Sequence, residues 1–200
     1  MPSPLAHSTM GYVIYRLAKE DAGQPAEAEK RLGRLPLLLA YTLGVSLLPD
    51  LDFVAGILFR DPASFHNNGT HSLVVGLAFS LVMGAILAWK LPLGFVRGFL
   101  ITLASYGMHV IMDFFTYGGR GVMLFWPLSA SRFQSPVLLF YGVRWSDGLF
   151  SFQHLITLVT ELVFVIAVLL LPRFFPRKAI APILEVGPFR FLIDALGRKE

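Results

Sequence analysis

The sequence predicts an all-α, polytopic membrane helical bundle with a metal site at one end. Three observations lead there. The 200 residues are 55% hydrophobic and only 15% charged, with a mean hydropathy of +0.64, whereas a soluble domain carries about 25% charged residues. Several apolar runs approach or reach the roughly 20 residues a helix needs to cross the hydrocarbon. Histidines and aspartates stand at the ends of those runs, and ionisable groups in membrane helices are costly and mostly functional.

The elements follow in order. Residues 8–19 read as a short helix with Ser8 or Thr9 as N-cap. Residues 20–34, "EDAGQPAEAEKRLGR", read as a polar loop. "LPLLLAYTLGVSLL" (35–48) reads as an apolar helix stopped by Pro49, short for a full span. "SLVVGLAFSLVMGAILAW" (72–89) is a span ended by Lys90 and Pro92. Residues 94–115 form a second span, which carries Arg97, His109 and Asp113. Residues 116–152, rich in Gly, Pro and aromatics, read as a long non-helical loop. "LITLVTELVFVIAVLLL" (155–171) is the clearest span, closed by "PRFFPRK". One embedded domain therefore covers residues 1–172, and 173–200 form a basic tail with the pattern of an interfacial amphipathic helix.

Composition narrows the chemistry. There is no cysteine, which excludes disulfides and thiolate metal sites. The net charge of +4 comes from scattered or terminal basic residues. No basic-aromatic stripe suggests nucleic acid, and contact with anionic membrane lipid is the simpler reading. The N-terminus lacks the basic n-region and long apolar stretch of a cleaved signal.

The candidate ligands come in short clusters. His109 and Asp113 are spaced i, i+4, which puts them one turn apart on one helix face. A nitrogen and an oxygen at that spacing can grip a divalent ion or simply hydrogen-bond each other. Asp50 and Asp52 follow Pro49 in "LLPDLDF". Outside a helix, i and i+2 can point the same way, as a metal ligand plus a general base or as a bridging pair; a solvated loop is the plainer reading. His66 and His71 flank the turn-forming "NNGT", and Thr70 or Ser72 can cap the helix that follows. His7 precedes the first helix. The mixed N/O set suits Zn²⁺, with Mn²⁺ or Fe²⁺ as alternatives, better than Ca²⁺ or Mg²⁺.

Topology then gathers these clusters. If residues 35–48 run upward, the loop 49–71 lies at the top, the helix at 72–89 descends and the helix at 94–115 returns. His7, Asp50, Asp52, His66, His71, His109 and Asp113 all fall at that end, and clustered His/Asp groups mark sites. His154 begins at the same end but reads as interfacial or supporting, and Glu161 two turns deeper reads as paired within the bundle. Eleven Lys and Arg lie in the opposite loops and tail, from Lys19 to Lys199, against Arg60, Arg120, Arg132 and Arg144 at the top. Positive-inside places the opposite end in the cytoplasm and the metal end on the outer face of the membrane.

The order His7, Pro49-Asp50-Leu51-Asp52, His66, Thr70-His71-Ser72, His109, Asp113, Thr116, Gly119, Pro127 and Ser129 resembles the YdjM-like family of inner-membrane metal-dependent hydrolases. The resemblance covers about residues 1–150. The family commonly carries Arg where this chain has Asn67. It is thought distantly similar to zinc-dependent phospholipase C and P1-type nucleases. The resemblance implies phosphoester hydrolysis by a metal-activated water, with the seven residues as ligands and Asp50 or Asp52 as general base. A small phosphoester or a lipid is the implied substrate; Arg120, seven residues after Asp113 and amid glycines, reads equally as a phosphate contact or an ordinary loop cation. The competing reading is a non-enzymatic metal-binding or metal-carrier membrane protein. A carrier, however, places its ligands near mid-membrane on broken helices.

Overall fold

A computed structural model describes residues 2–20, 35–60, 66–90, 94–143 and 151–174. Six α-helices appear among them: α1 (Pro4–Glu20), α2 (Leu35–Leu47), α3 (Leu51–Leu58), α4 (Leu73–Lys90), α5 (Phe95–Phe114) and α6 (Phe152–Phe174). Two-residue strands at Thr116–Tyr117 and Phe140–Tyr141 pair in parallel across the loop between α5 and α6. The polar segment expected as a loop at 20–34 and the tail expected as an amphipathic helix at 173–200 fall almost wholly outside the described residues.

Four segments are long and apolar enough to cross a membrane: Pro36–Leu58, Leu73–Lys90, Phe95–Phe114 and Phe152–Leu170. The first corrects the reading that Pro49 stops a short helix. Leu48–Asp50 form a 3₁₀ turn with proline at its start, and the chain continues directly into α3. The first N–H groups of a helix have no internal partner, so proline is tolerated there. The combined segment runs 23 residues, long and apolar enough for a full span.

The start of α1 is a second correction. The helix begins at Pro4, not after His7. Ser3 Oγ accepts from Leu5 N–H at 3.2 Å, so Ser3 takes the capping position and Pro4 the first helical one. Ser8 and Thr9, expected as caps, lie inside the helix, and the Thr9 hydroxyl donates back to Leu5 O at 2.9 Å. His7 thereby gains a rigid helical mount.

Packing is that of a membrane protein. Among the described residues, buried polar side chains outnumber buried apolar ones, while leucine, valine and isoleucine cover the outside. Helices α4 and α5 pack through small residues: Gly76, Ser80 and Gly84 share one buried face of α4. A Cβ at Gly84 would sit 3.0 Å from the Phe99 backbone nitrogen. Such close approach replaces the hydrophobic driving force that lipid removes. The buried hydroxyls of Ser80, Thr102 and Ser105 each donate to the carbonyl one turn earlier, and Thr102 Oγ1 also pairs with the Tyr41 hydroxyl of α2 at 2.6 Å.

Candidate metal centre

Five elements converge at one end of the bundle: the first turn of α1, the 3₁₀ turn before α3, the first turn of α3, the loop 66–71 and the last two turns of α5. They bring the seven predicted residues together. Asp50, His71, His109 and Asp113 each direct one ligand atom into a cluster within 4.8 Å. Asp52, His66 and His71 form a second, overlapping group. His7 belongs to neither group, yet its Nε2 lies 3.6 Å from Asp113 Oδ1 and its ring stacks on His109 at 3.7 Å between centroids.

The central distances are short and similar. His71 Nε2 lies 3.4 Å from Asp50 Oδ1, 3.0 Å from Asp113 Oδ2 and 3.2 Å from His109 Nε2. His109 Nε2 lies 3.5 Å from Asp50 Oδ1 and 3.6 Å from Asp113 Oδ2. Despite that crowding, both oxygens of Asp50, both oxygens of Asp113 and both nitrogens of His7 are buried without a hydrogen-bond partner. Buried carboxylates are costly unless positive charge lies among them, and either a protonated His71, 3.0 Å from Asp113 Oδ2, or a bound cation removes the cost. The residues fit a metal ion.

The surroundings orient the ligands. His109 Nδ1 faces Ser46 O at 2.7 Å; an N–H donated there leaves Nε2 with its lone pair towards the cluster. His71 Nδ1 faces Asp52 Oδ2 at 3.2 Å, which likewise aims Nε2 inward. Asp52 is itself fully engaged: Oδ1 takes His66 Nδ1 at 2.9 Å, and Oδ2 accepts from Asn67 N–H at 3.1 Å and the Thr70 hydroxyl at 2.8 Å. Tyr106 on α5 donates its hydroxyl to Thr70 O, pinning the same loop.

The Asp50/Asp52 geometry differs from the expected loop pair pointing one way. Both residues lie on helical backbone, where i and i+2 are about 200° apart. They therefore approach His71 from opposite sides, Asp50 at Nε2 and Asp52 at Nδ1.

Charge follows the same arrangement. Burial, helped by His109, pushes His7 down to about 4, against the pull of Asp113. His7 is a neutral imidazole at neutral pH. Burial also works against a charged His71, but Asp113, Asp50 and Asp52 outweigh it and hold His71 well above the usual range.

The family described as YdjM inner membrane protein matches residues 1–179. The chain belongs to that family. Inner membrane protein YbcI of Escherichia coli (strain K12) is 33% identical over 104 residues, which is 50% of this chain and 60% of that protein. The chain therefore spans 60% of the length of the curated relative it matches. No solved structure matches. Family membership and the four apolar helices together make this a multi-pass inner-membrane protein.

Where the family pattern carries Arg, Asn67 adopts φ 59°, a left-handed conformation that Asn tolerates well. That turn presents its N–H to Asp52. Of the capping pair, Ser72 does the work, accepting from Val74 and Val75 N–H at 3.1 and 3.4 Å. Arg120 reaches His66 O at 3.4 Å. His154 lies in the first turn of α6, outside both ligand groups. Glu161 is buried and takes both the N–H and the hydroxyl of Ser3, fastening α6 to the start of α1.

Sequence reasoning missed Arg132 and the Ser46 carbonyl. Arg132 holds the site loop through Asn67 O and Gly121 O, both at 3.0 Å, and through Asn68 Oδ1. No local pattern marks it, because its partners lie 11 to 65 residues away.

Proposed function

We propose that the protein is a membrane-embedded, metal-dependent phosphoester hydrolase. The observation that carries the metal half is the set of buried, partnerless oxygens of Asp50 and Asp113 facing the Nε2 atoms of His71 and His109. Their spacings of 3.0–3.6 Å bracket the edge of a tetrahedron with roughly 2.0–2.1 Å metal bonds, about 3.3 Å. That supports zinc, with manganese or iron as the alternatives. The hydrolytic half rests on the family resemblance and on a mixed His/Asp donor set suited to water activation.

In this reading Asp50, His71, His109 and Asp113 hold the ion, with His7 beside Asp113 as a further donor. Bound there, a divalent cation supplies Lewis acidity and lowers the pKa of water. Asp52 orients His71 and His66 rather than acting as a free base, because both its oxygens are taken. Of the two, Asp50 is the better placed to receive a proton, through Oδ2, because its Oδ1 faces His71 and His109 in the ligand cluster while Oδ2 has no donor. His66 Nε2, partnerless and on the more exposed side of the cluster, faces the substrate. Arg120 would contact a phosphoryl oxygen. The excess of basic residues at the opposite end supports a site on the outer face of the membrane.

Metal analysis of the purified protein tests the first half: bound zinc, manganese or iron in the wild type, lost in His71→Ala and His109→Ala. Turnover of phosphomonoesters, phosphodiesters or phospholipids, with both variants as controls, tests the second. Bound metal without turnover of any ester would favour the carrier reading.

A further inference from the structure

The more exposed edge of the cluster lies beside apolar surface. Among the seven residues, the side chains of His66 and Asp50 are the most exposed, at 16% and 13%; the others lie between 0% and 7%. Asp50 immediately precedes α3, and His66 is bonded to Asp52 in its first turn. That helix buries Asp52 and Gly56 and turns Leu51, Val54 and Leu58 outward along one face, with Leu58 77% exposed. His66 meets Phe53 of the same helix edge-on. A helix whose ligand-bearing side is inside and whose outer side is aliphatic is built for lipid rather than water.

A second apolar surface flanks the same edge. Residues 122–139 lie outside every span, yet Phe125, Trp126, Leu128, Val137 and Leu139 are exposed, Leu128 by 81%. This segment is fastened to the site. Leu73 N–H donates to Leu124 O at 3.0 Å, the Ser72 hydroxyl donates to Trp126 O at 2.7 Å, and Ser135 N–H donates to Phe114 O at 2.9 Å. The Trp126 ring lies so close to Gly69 that a Cβ there would meet it at 2.8 Å. Positive charge is fastened to the site loop. Arg120 and Arg132 hold the carbonyls of consecutive residues, His66 and Asn67. Burial, and then the nearby charge of Arg120, lower Arg132, as expected of neighbouring cations.

We infer that this edge admits an amphiphile from the bilayer: the substrate is a phospholipid whose anionic headgroup enters past Arg120 and Arg132 while its chains lie against α3 and the 122–139 segment. This rests on the hydrolase reading and names its substrate class. Exposed apolar side chains on α3 and on the 122–139 segment, with two cations bonded to the site loop, are features a lipid headgroup site requires.

The test uses full-length, zinc-loaded protein in vesicles of phosphatidylcholine and phosphatidylglycerol. Headgroup release from phosphatidylglycerol is compared with hydrolysis of soluble bis(p-nitrophenyl) phosphate. Lipid turnover should exceed soluble turnover, and in Leu128→Glu the lipid-to-soluble ratio should fall about tenfold or more, because a charge is poorly tolerated in the hydrocarbon. Leu128→Ser should move the ratio in the same direction with less risk to folding. Independently of activity, the Trp126 fluorescence of a Trp89→Phe, Trp145→Phe protein should be quenched by brominated-chain phosphatidylcholine. Soluble-ester turnover without a lipid preference and without quenching would overturn this inference and leave the hydrolase reading standing. No turnover of either ester by metal-loaded protein would overturn both.

Discussion

Helices α5 and α6 are both apolar enough to cross a membrane, yet 50% of the α5 span is buried inside the protein and only 11% of the α6 span. The less apolar helix is the central one. Thr102, Ser105, His109 and Asp113 follow one another at three- and four-residue steps along its buried face. On α6, Thr157 and Glu161 are buried while Val159, Val163 and Ile166 face outward. In lipid, aliphatic side chains do not choose between a neighbouring helix and a hydrocarbon tail, so small and polar groups decide what faces inward. Helix α5 has many such groups and carries half of the central ligand cluster. Helix α6 has few, and its buried carboxylate fastens it to the start of α1.

The sharpest way to break this contrast is to remove a ligand. His71→Ala or Asp113→Ala should cost more than the about 10–100-fold in metal affinity typical of an orienting partner, read by metal content after dialysis. Asp52→Asn, which disturbs only the orientation of His71 and His66, should fall within that about 10–100-fold range; a loss as large as that of Asp113→Ala would make Asp52 a ligand instead. On α6, Glu161→Ala should lower stability by about 1.5–3 kcal/mol, the worth of a hydrogen bond to a charged group, seen as earlier thermal unfolding in detergent. Glu161→Gln, which keeps one acceptor for Ser3, should lose less.

A pH titration sharpens the site itself. His71 is held above its usual pKa by Asp113, Asp50 and Asp52 against the effect of burial, so in the metal-free protein it carries a proton that metal must displace. Metal affinity should therefore fall as pH falls, by up to about tenfold per unit for one displaced proton. Calorimetry in buffers of different ionisation enthalpy should detect that proton's release. The smallest effect belongs to the lipid face: Val163→Leu on α6 should stay within about 0.5 kcal/mol of wild type.

Much of this was legible in the chain, for reasons that differ by region. The spans at Leu73–Lys90 and Phe95–Phe114 could be read almost to their ends because long, mostly apolar runs need no partner to be helical in lipid. The i, i+4 spacing of His109 and Asp113 is a property of one helix and survives any tertiary arrangement. The start of α1 and the path through Pro49 were misread because capping and a 3₁₀ turn depend on single hydrogen bonds with no periodic signature.

The sequence alone determined a membrane bundle and the gathering of His and Asp at one end, since helix lengths and alternating direction force both. Only the tertiary structure decided which atoms converge. It separated Asp50 from Asp52 across the two nitrogens of His71, because helical backbone turns i and i+2 away from each other. It also joined Arg132, Ser46 and Glu161 to the site's support, because hydrogen bonds between residues far apart in the chain leave no local trace in the order of amino acids.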